Sequence, residues 1–347
     1  MTKKEMIDTL ASDDPQMIEE VFRRAYQVKL ENVGRKVYYR GIIEFSNICT
    51  KDCFYCGIRR SNQAMDRFSM SEEEIVQTAL FADQAGYGSL VLQSGERSDA
   101  TFVDLVERLV RAIKEKTDNR LGITLSLGEQ TEETFKRWFA AGAHRYLLRI
   151  ETSNPGLYQK LHPSDHSYQT RLNCLTFLRN IGYQVGTGVM IGLPHQTLAD
   201  LAGDILFFEK HDIDMIGMGP YIVHQNTPLA QDAEYDPQKN LMLGLKMIAL
   251  TRLHLKDVNI AATTALQALD AQGRELGLQA GANIIMPNIT PTQYRDRYQL
   301  YDNKPCLDEN AAQCRCCLAG RIGSIGEEVG YNEWGDSPHF FKKAARR

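Results

Sequence analysis

The chain of 347 residues has no run of about 18 apolar residues, the length a helix needs to cross a bilayer, so no membrane span is expected. Its opening, MTKKEMIDTL, lacks the apolar core of a secretory signal, and a cytoplasmic location is expected. Net charge is small, −4 with 24% charged residues, which argues against a general nucleic-acid or lipid-binding surface. No Gly-, Ser- or Pro-rich linker divides the chain, and low-complexity tracts are missing. A disulfide framework is also disfavoured. The eight cysteines, at 49, 53, 56, 174, 306, 314, 316 and 317, are clustered, and clustering in a cytoplasmic chain favours metal or redox work.

What is present is a repeat of short apolar runs and amphipathic helices. Residues 1–34 read as helical. The apolar runs follow at 37–45, 88–94, 122–127, 145–151, 185–193, 214–221, 258–264 and 282–287. Helices are expected at 71–85, 101–116, 130–141, 166–181, 197–211, 238–255 and 266–276. Ser71 and Glu74 form a capping-box pair and Gly86 a stop. The runs are continuously apolar rather than alternating, as in strands covered on both faces. Eight βα units predict a single (β/α)8 barrel over 35–300, with its chemistry at the C-terminal strand ends. An open doubly wound sheet is the alternative. Residues 301–347, rich in cysteine, glycine and charge, read as a C-terminal appendix.

After the first run comes FSNICTKDCFYCGIRR, which places Cys49, Cys53 and Cys56 on the expected active face. Structural zinc wants four ligands, usually in two close pairs, and a thioredoxin-like pair would need only Cys53 and Cys56. Neither uses Cys49. Three thiolates on a 4Fe–4S cluster leave one iron open to a small molecule. The C-x3-C-x2-C spacing, with Tyr55 before the last cysteine, resembles the signature of radical S-adenosylmethionine (SAM) enzymes. Near the other end, Cys306, Cys314 and Cys317 form C-x7-C-x2-C, which reads as a second iron–sulfur site of 2Fe–2S or 4Fe–4S type, with zinc as the rival.

Polar residues recur where strands should end. Ser94, Gly95 and Glu96 resemble the turn that accepts the SAM ammonium in that superfamily, with an ordinary βα turn as the bland reading. Thr124 and Ser126 alternate with leucines on the third run. Arg149 and Glu151, two apart on the fourth, are expected to share a face toward a charged ligand, or else to pair with each other. Arg171 can grip a carboxylate in fork geometry. Thr263, Thr264 and Tyr298 bring hydroxyls to the mouth, with Tyr294 and Tyr301 close by. Met215 is taken as a cofactor-side candidate, although strand methionines are ordinarily core filler. Cys174 reads as a small core residue.

The set IIEFSNIC…CFYCGIRR, LVLQSGE, ITLSLGE, RYLLRIET, RLNCL, ATTA, GANIIMPN and YQLY resembles the HydE family of radical SAM maturases of iron-only (FeFe) hydrogenase over about 35–320. The resemblance implies a 4Fe–4S cluster on Cys49, Cys53 and Cys56, with SAM beside it. It implies SAM contacts at Ser126, Glu151 and Arg171, and a substrate or anion cavity at Arg149, Thr263, Thr264 and Tyr298. Arg149 and Tyr298 are the catalytic candidates. The implied radical acts on sulfur of an iron-bound, cysteine-derived substrate during assembly of the diiron cluster. Implied partners are HydG- and HydF-like maturases and a reductant such as ferredoxin or flavodoxin. Ile150 stands where some relatives carry a histidine. A HydE-like enzyme with another substrate, such as a methylornithine-synthase-like mutase, is one alternative; a non-catalytic iron–sulfur carrier is another.

Overall fold

The computed structural model describes residues 1–231, 235–308 and 311–344. Two helices, α1 (Lys3–Ala11) and α2 (Pro15–Asn32), come first; Asp14 caps the second and Pro15 opens it. The barrel strands are β1 (Lys36–Ser46), β2 (Ser89–Ser94), β3 (Gly122–Ser126), β4 (Arg145–Leu147) and β5 (Gln184–Thr187), then β7 (Met215–Ile216), β9 (Asn259–Ile260) and β10 (Ile284–Ile285). A short pair, β6 (Met190–Ile191) and β8 (Gly219–Pro220), lies outside that ring. The strand order is β10-β1-β2-β3-β4-β5-β7-β9, and every pairing along it is parallel. The ends meet where Asn283 N donates to Ile260 O and Ala262 N to Ile284 O, both at 2.9 Å. The eight-unit barrel expected from the sequence is therefore present.

Helices α3 (Glu72–Gln84), α4 (Ala100–Lys116), α5 (Glu132–Ala141), α6 (Pro155–Leu161), α7 (Tyr168–Ile181), α8 (Leu198–Lys210), α9 (Pro237–Leu255), α10 (Thr264–Leu269) and α11 (Gly273–Gln279) connect and surround the strands. Ser71 and Glu74 make the capping box read from the sequence. Four expectations need correction. The helix expected at 266–276 is two, α10 and α11, parted at 270–272. The fourth run is strand only as far as Leu147. The fifth and sixth runs are each broken in two, at Gly188 and Gly217. There the backbones come so close that a Cβ on Gly188 would lie 1.9 Å from the Gly217 carbonyl oxygen. The helix expected from 166 begins at Tyr168, and the separate helix α6, capped by Asn154, precedes it.

The C-terminal residues close the barrel's lower end. Strand β11 (Glu328–Val329) pairs with the start of β1. Below it, Gly335 O accepts from Arg40 Nη2 at 3.0 Å and from Asn259 Nδ2 at 2.8 Å. Asp336 pairs with the buried Arg145, and Ser337 N donates to Gln184 Oε1 at 2.8 Å. Gly88 admits this segment because a Cβ there would stand 1.7 Å from Glu333 O.

One buried carboxyl sets a pH dependence. Asp204, on α8, accepts from Ser153 N at 2.6 Å through Oδ1, while Oδ2 has no hydrogen-bond partner among the described residues. Burial pushes its pKa up to about 7. The folded state thus keeps a proton that the unfolded chain releases near its ordinary value of 3.8. This stabilisation is complete below that value and is lost as pH rises through about 7. Asp214, raised to about 6 by burial, acts in the same direction. The share of these two carboxyls in the unfolding temperature is expected to fall from about pH 5 to about pH 8, against the opposite trend of the partly buried His144 and the buried His162, which desolvation holds down at about 4 and about 3. Asp204→Asn should flatten most of that fall, and calorimetry across the range checks it.

Candidate active site

The loop after β1 is anchored from all sides. Arg67 donates to the carbonyls of Asn47 (2.7 Å), Ile58 (2.8 Å), Arg59 (2.5 Å) and Asn62 (3.1 Å). Phe54 N donates to Leu161 O and Gly57 N to Leu300 O, at 3.0 and 2.9 Å. Cys49, Cys53 and Cys56 are all partly buried thiols on this loop. Burial pushes Cys53 up to about 12 and Cys56 well above the ordinary value. A metal that replaces the proton relieves that cost. Among the described residues, the ligand groups that converge to within 4.8 Å do not include these three sulfurs together. One ion would not span them; the larger 4Fe–4S body suits the spacing.

The loop is tied directly to the end of β2. Thr50 donates to Glu96 O through both N (2.9 Å) and Oγ1 (3.0 Å), and Glu96 N donates to Cys49 Sγ at 3.3 Å. Gly95 N donates to Ser46 O at 2.9 Å, and Ser94 Oγ donates to Gly95 O at 2.7 Å. Gly95 must be glycine here: a Cβ would lie 2.4 Å from Ile48 O and 2.8 Å from Cys49 Cβ.

Beside this turn stand four charges, each side chain no more than 20% exposed. Lys51 is 2.9 Å from Glu129 and 3.3 Å from Glu96; Arg171 is 2.7 Å from Glu129 and 3.8 Å from Glu96. Burial raises Glu96 above the usual carboxylate range. Burial acts on Glu129 the same way, but Arg171 and Lys51 outweigh it and hold Glu129 low. Arg171 also donates to Arg149 O at 2.9 Å. Ser126 ends β3, level with Gln93 of β2.

Arg149 and Glu151 do meet, as a two-pronged ion pair at 2.8 and 2.9 Å. Strand alternation is not the cause, since β4 has already ended. Glu151 takes a left-handed backbone, φ 64°, and Arg149 is fixed by the carbonyls of Gly217 (2.7 Å) and Val189 (2.9 Å). Glu151 lies near the partly buried Tyr55 ring, whose phenol desolvation pushes well up.

Of the hydroxyl candidates, Thr263 Oγ1 is buried with no hydrogen-bond partner among the described residues. Thr264 Oγ1 accepts from Arg274 Nη2 at 3.0 Å, and Tyr298 Oη accepts from Gln93 Nε2 at 3.3 Å. Thr124 and Met215 line one small cavity with Arg40 and Gly217, whose carbonyl holds Arg149. Thr124 lies two residues below Ser126 on β3, where its hydroxyl accepts from Arg145 Nε at 3.1 Å. Met215 Sδ lies 2.8 Å from Arg40 Nη1. Both stand beside arginines that face the C-terminal segment. Cys306 is partly buried and Cys317 is exposed; the Cys314 side chain lies outside the described residues, so that three-cysteine set is only partly described. Cys174 is buried, as expected.

Sequence reasoning missed Lys51, Glu129 and Arg274. Glu129 carried a readable signal, a carboxylate just past a buried strand at LGEQ. Arg274 carried none: it sits on a short helix, and two of its nitrogens have no partner among the described residues.

The radical SAM superfamily description matches residues 43–208. The [FeFe] hydrogenase maturase subunit HydE of Thermotoga maritima is 45% identical over 342 residues, which cover 98% of this chain and 95% of that protein. The chain belongs to the HydE family. It is thus a radical SAM enzyme, and the cofactors its superfamily implies are a 4Fe–4S cluster and SAM. The 3-methylornithine synthase of Methanosarcina acetivorans is 28% identical, over 80% of this chain and 76% of its own length. Among solved structures, methylornithine synthase (PylB) aligns with TM-score 0.81 and 25% identity, covering 95% of this chain and 94% of that one. The HydG maturase of Carboxydothermus hydrogenoformans also reaches 0.81, at 23% identity over 95% and 76%, and bears on the fold alone. For the HydE-type site, Gly95→Ala should displace the Cys49 backbone. Reconstituted protein is expected to keep its fold by circular dichroism but to lose most of its bound iron.

Proposed function

We propose that this protein acts as the HydE-type maturase of an FeFe hydrogenase, with Cys49, Cys53 and Cys56 holding the cluster. When bound, the cluster supplies the electron that splits the sulfonium S–C5′ bond of SAM to methionine and a 5′-deoxyadenosyl radical. The protein's own work is to hold the other charges in register. The methionine end of SAM carries an ammonium and a carboxylate. Ser94, Gly95 and Glu96 offer acceptors to the first, and Arg171 offers donors to the second. The Lys51–Glu96–Glu129–Arg171 group can exchange internal pairs for these without leaving a buried charge alone. Ser126 and Glu151 complete the SAM side. Arg149, Thr263, Thr264 and Tyr298 are assigned to an iron-bound, cysteine-derived substrate, with Arg149 and Tyr298 as the catalytic candidates. HydG- and HydF-like partners, a ferredoxin or flavodoxin reductant, and a second cluster at Cys306, Cys314 and Cys317 belong to the same proposal.

The observation that carries this reading is 45% identity to a HydE over 98% of the chain, combined with a cysteine loop bonded directly to the Ser94–Glu96 turn. The likeness to methylornithine synthase supports a second reading, a mutase on the same scaffold.

Two variants separate cofactor from substrate roles. Anaerobically reconstituted protein with dithionite and SAM should release 5′-deoxyadenosine or an adenosylated product, and Cys53→Ala should release neither. Thr263→Val should retain that release, yet lower activation of an apo-hydrogenase in extracts with the other maturases about tenfold, which corresponds to about 1.4 kcal/mol. Failure of the unaltered protein to support activation, with SAM cleavage intact, would favour the mutase.

A further inference from the structure

Two histidines that the SAM chemistry does not use stand against Cys53. Its Sγ is 3.9 Å from Nδ1 of His166, and the ligand atoms of Cys53, His162 and His166 all lie within 4.8 Å of one another. Both imidazoles are buried, His162 at 2% and His166 at 7% exposure. His162 is oriented from behind. Its Nδ1 lies 2.8 Å from the Tyr158 carbonyl, which can only accept, so Nδ1 carries the proton and Nε2 presents a lone pair. Stacking on the Tyr158 ring, 4.0 Å between centroids, fixes the plane. His166 turns Nε2 toward the Asp165 carboxylate at 3.7 Å, which leaves Nδ1 facing the sulfur.

Histidines that bind metals are ordinarily anchored in this way, with the far nitrogen on a carbonyl or carboxylate. One sulfur and two imidazoles suit zinc and its borderline neighbours, with water in the fourth position. A sulfur and a nitrogen on one tetrahedral zinc stand about 3.5 Å apart, so the side chains need to move only slightly.

We propose that the cluster-free protein binds one divalent transition-metal ion at Cys53, His162 and His166, and that this ion and the iron–sulfur cluster exclude each other because both need the Cys53 sulfur. Binding releases the Cys53 proton to solvent and forms a metal–sulfur bond, with no change of oxidation state. It also takes the Nε2 lone pair that the Tyr55 hydroxyl now holds at 3.1 Å. Only the exclusion rests on Cys53 being a cluster ligand.

The test uses zinc and the full-length chain stripped of iron, with Cys306→Ser, Cys314→Ser and Cys317→Ser to remove the other candidate zinc site. X-ray absorption at the zinc edge should show one sulfur and two imidazole nitrogens. Two or more sulfurs would mean that zinc sits among the loop cysteines, and the proposal falls. A Cys49→Ser/Cys56→Ser variant should still bind zinc. Adding His162→Gln and His166→Gln should weaken binding at least about 100-fold, since even outer partners of metal ligands are worth about 10- to 100-fold. Unchanged affinity overturns the site. Finally, reconstituting the cluster in that background, with Cys49, Cys53 and Cys56 intact, should expel the zinc stoichiometrically. Zinc retained beside a complete cluster refutes the exclusion, and does so separately from any failure of zinc to bind.

Discussion

Two acids and two bases buried together fix the working end of this barrel. Lys51 comes from the loop after β1, Glu96 from the end of β2, Glu129 from the end of β3 and Arg171 from α7. Each pays a desolvation penalty that its neighbours must offset. Removing any one leaves a buried charge without its counterpart, which costs on the order of 3–5 kcal/mol. Their mutual attraction therefore pins four separate elements to one another. The cysteine loop inherits its position from this arrangement, because Thr50 and Cys49 are bonded to the Glu96 backbone. The thiols are held by this charge lattice together with the Arg67 contacts and the backbone bonds to Leu161 and Leu300.

The same physics explains why the thiol end suits an ionic cofactor. A dry, charged pocket is expensive when its charges only face each other, and a ligand carrying both signs can enter by partner exchange. The Arg149–Glu151 pair shows a milder version. Its arginine is already committed to two backbone carbonyls, so the guanidinium stays in place whichever partner the carboxylate takes.

The large-scale architecture was readable because it depends on hydrophobic period and on capping, both local. Seven of the expected helices and all eight runs fall on observed elements, and the Ser71–Glu74 box forms as read. The breaks at Gly188 and Gly217 were not readable, since they arise from one backbone pressing on another across the sheet. Within the site, the cysteine spacing was legible because one short loop carries it. Arg149 and Glu151 form the ion pair that the sequence offered only as the alternative to a charged ligand, and the backbone at Glu151 brings them together where a strand that stops two residues before the arginine does not. The arginine partners of Thr124 and Met215 were not readable, because sequence gives the face of a strand more readily than the height along it. Lys51 and Glu129 gain meaning only from partners distant in the chain, and Arg274 from Thr264 on the helix before it.

The segment around Gly335 and Asp336 seals the lower end by contacts to β1, β4, β5 and β9. A plug made from the chain's own end thus ties together four strands that are far apart in sequence. Loosening that one segment would unfasten all four at once, so the last residues of the fold act as its clasp.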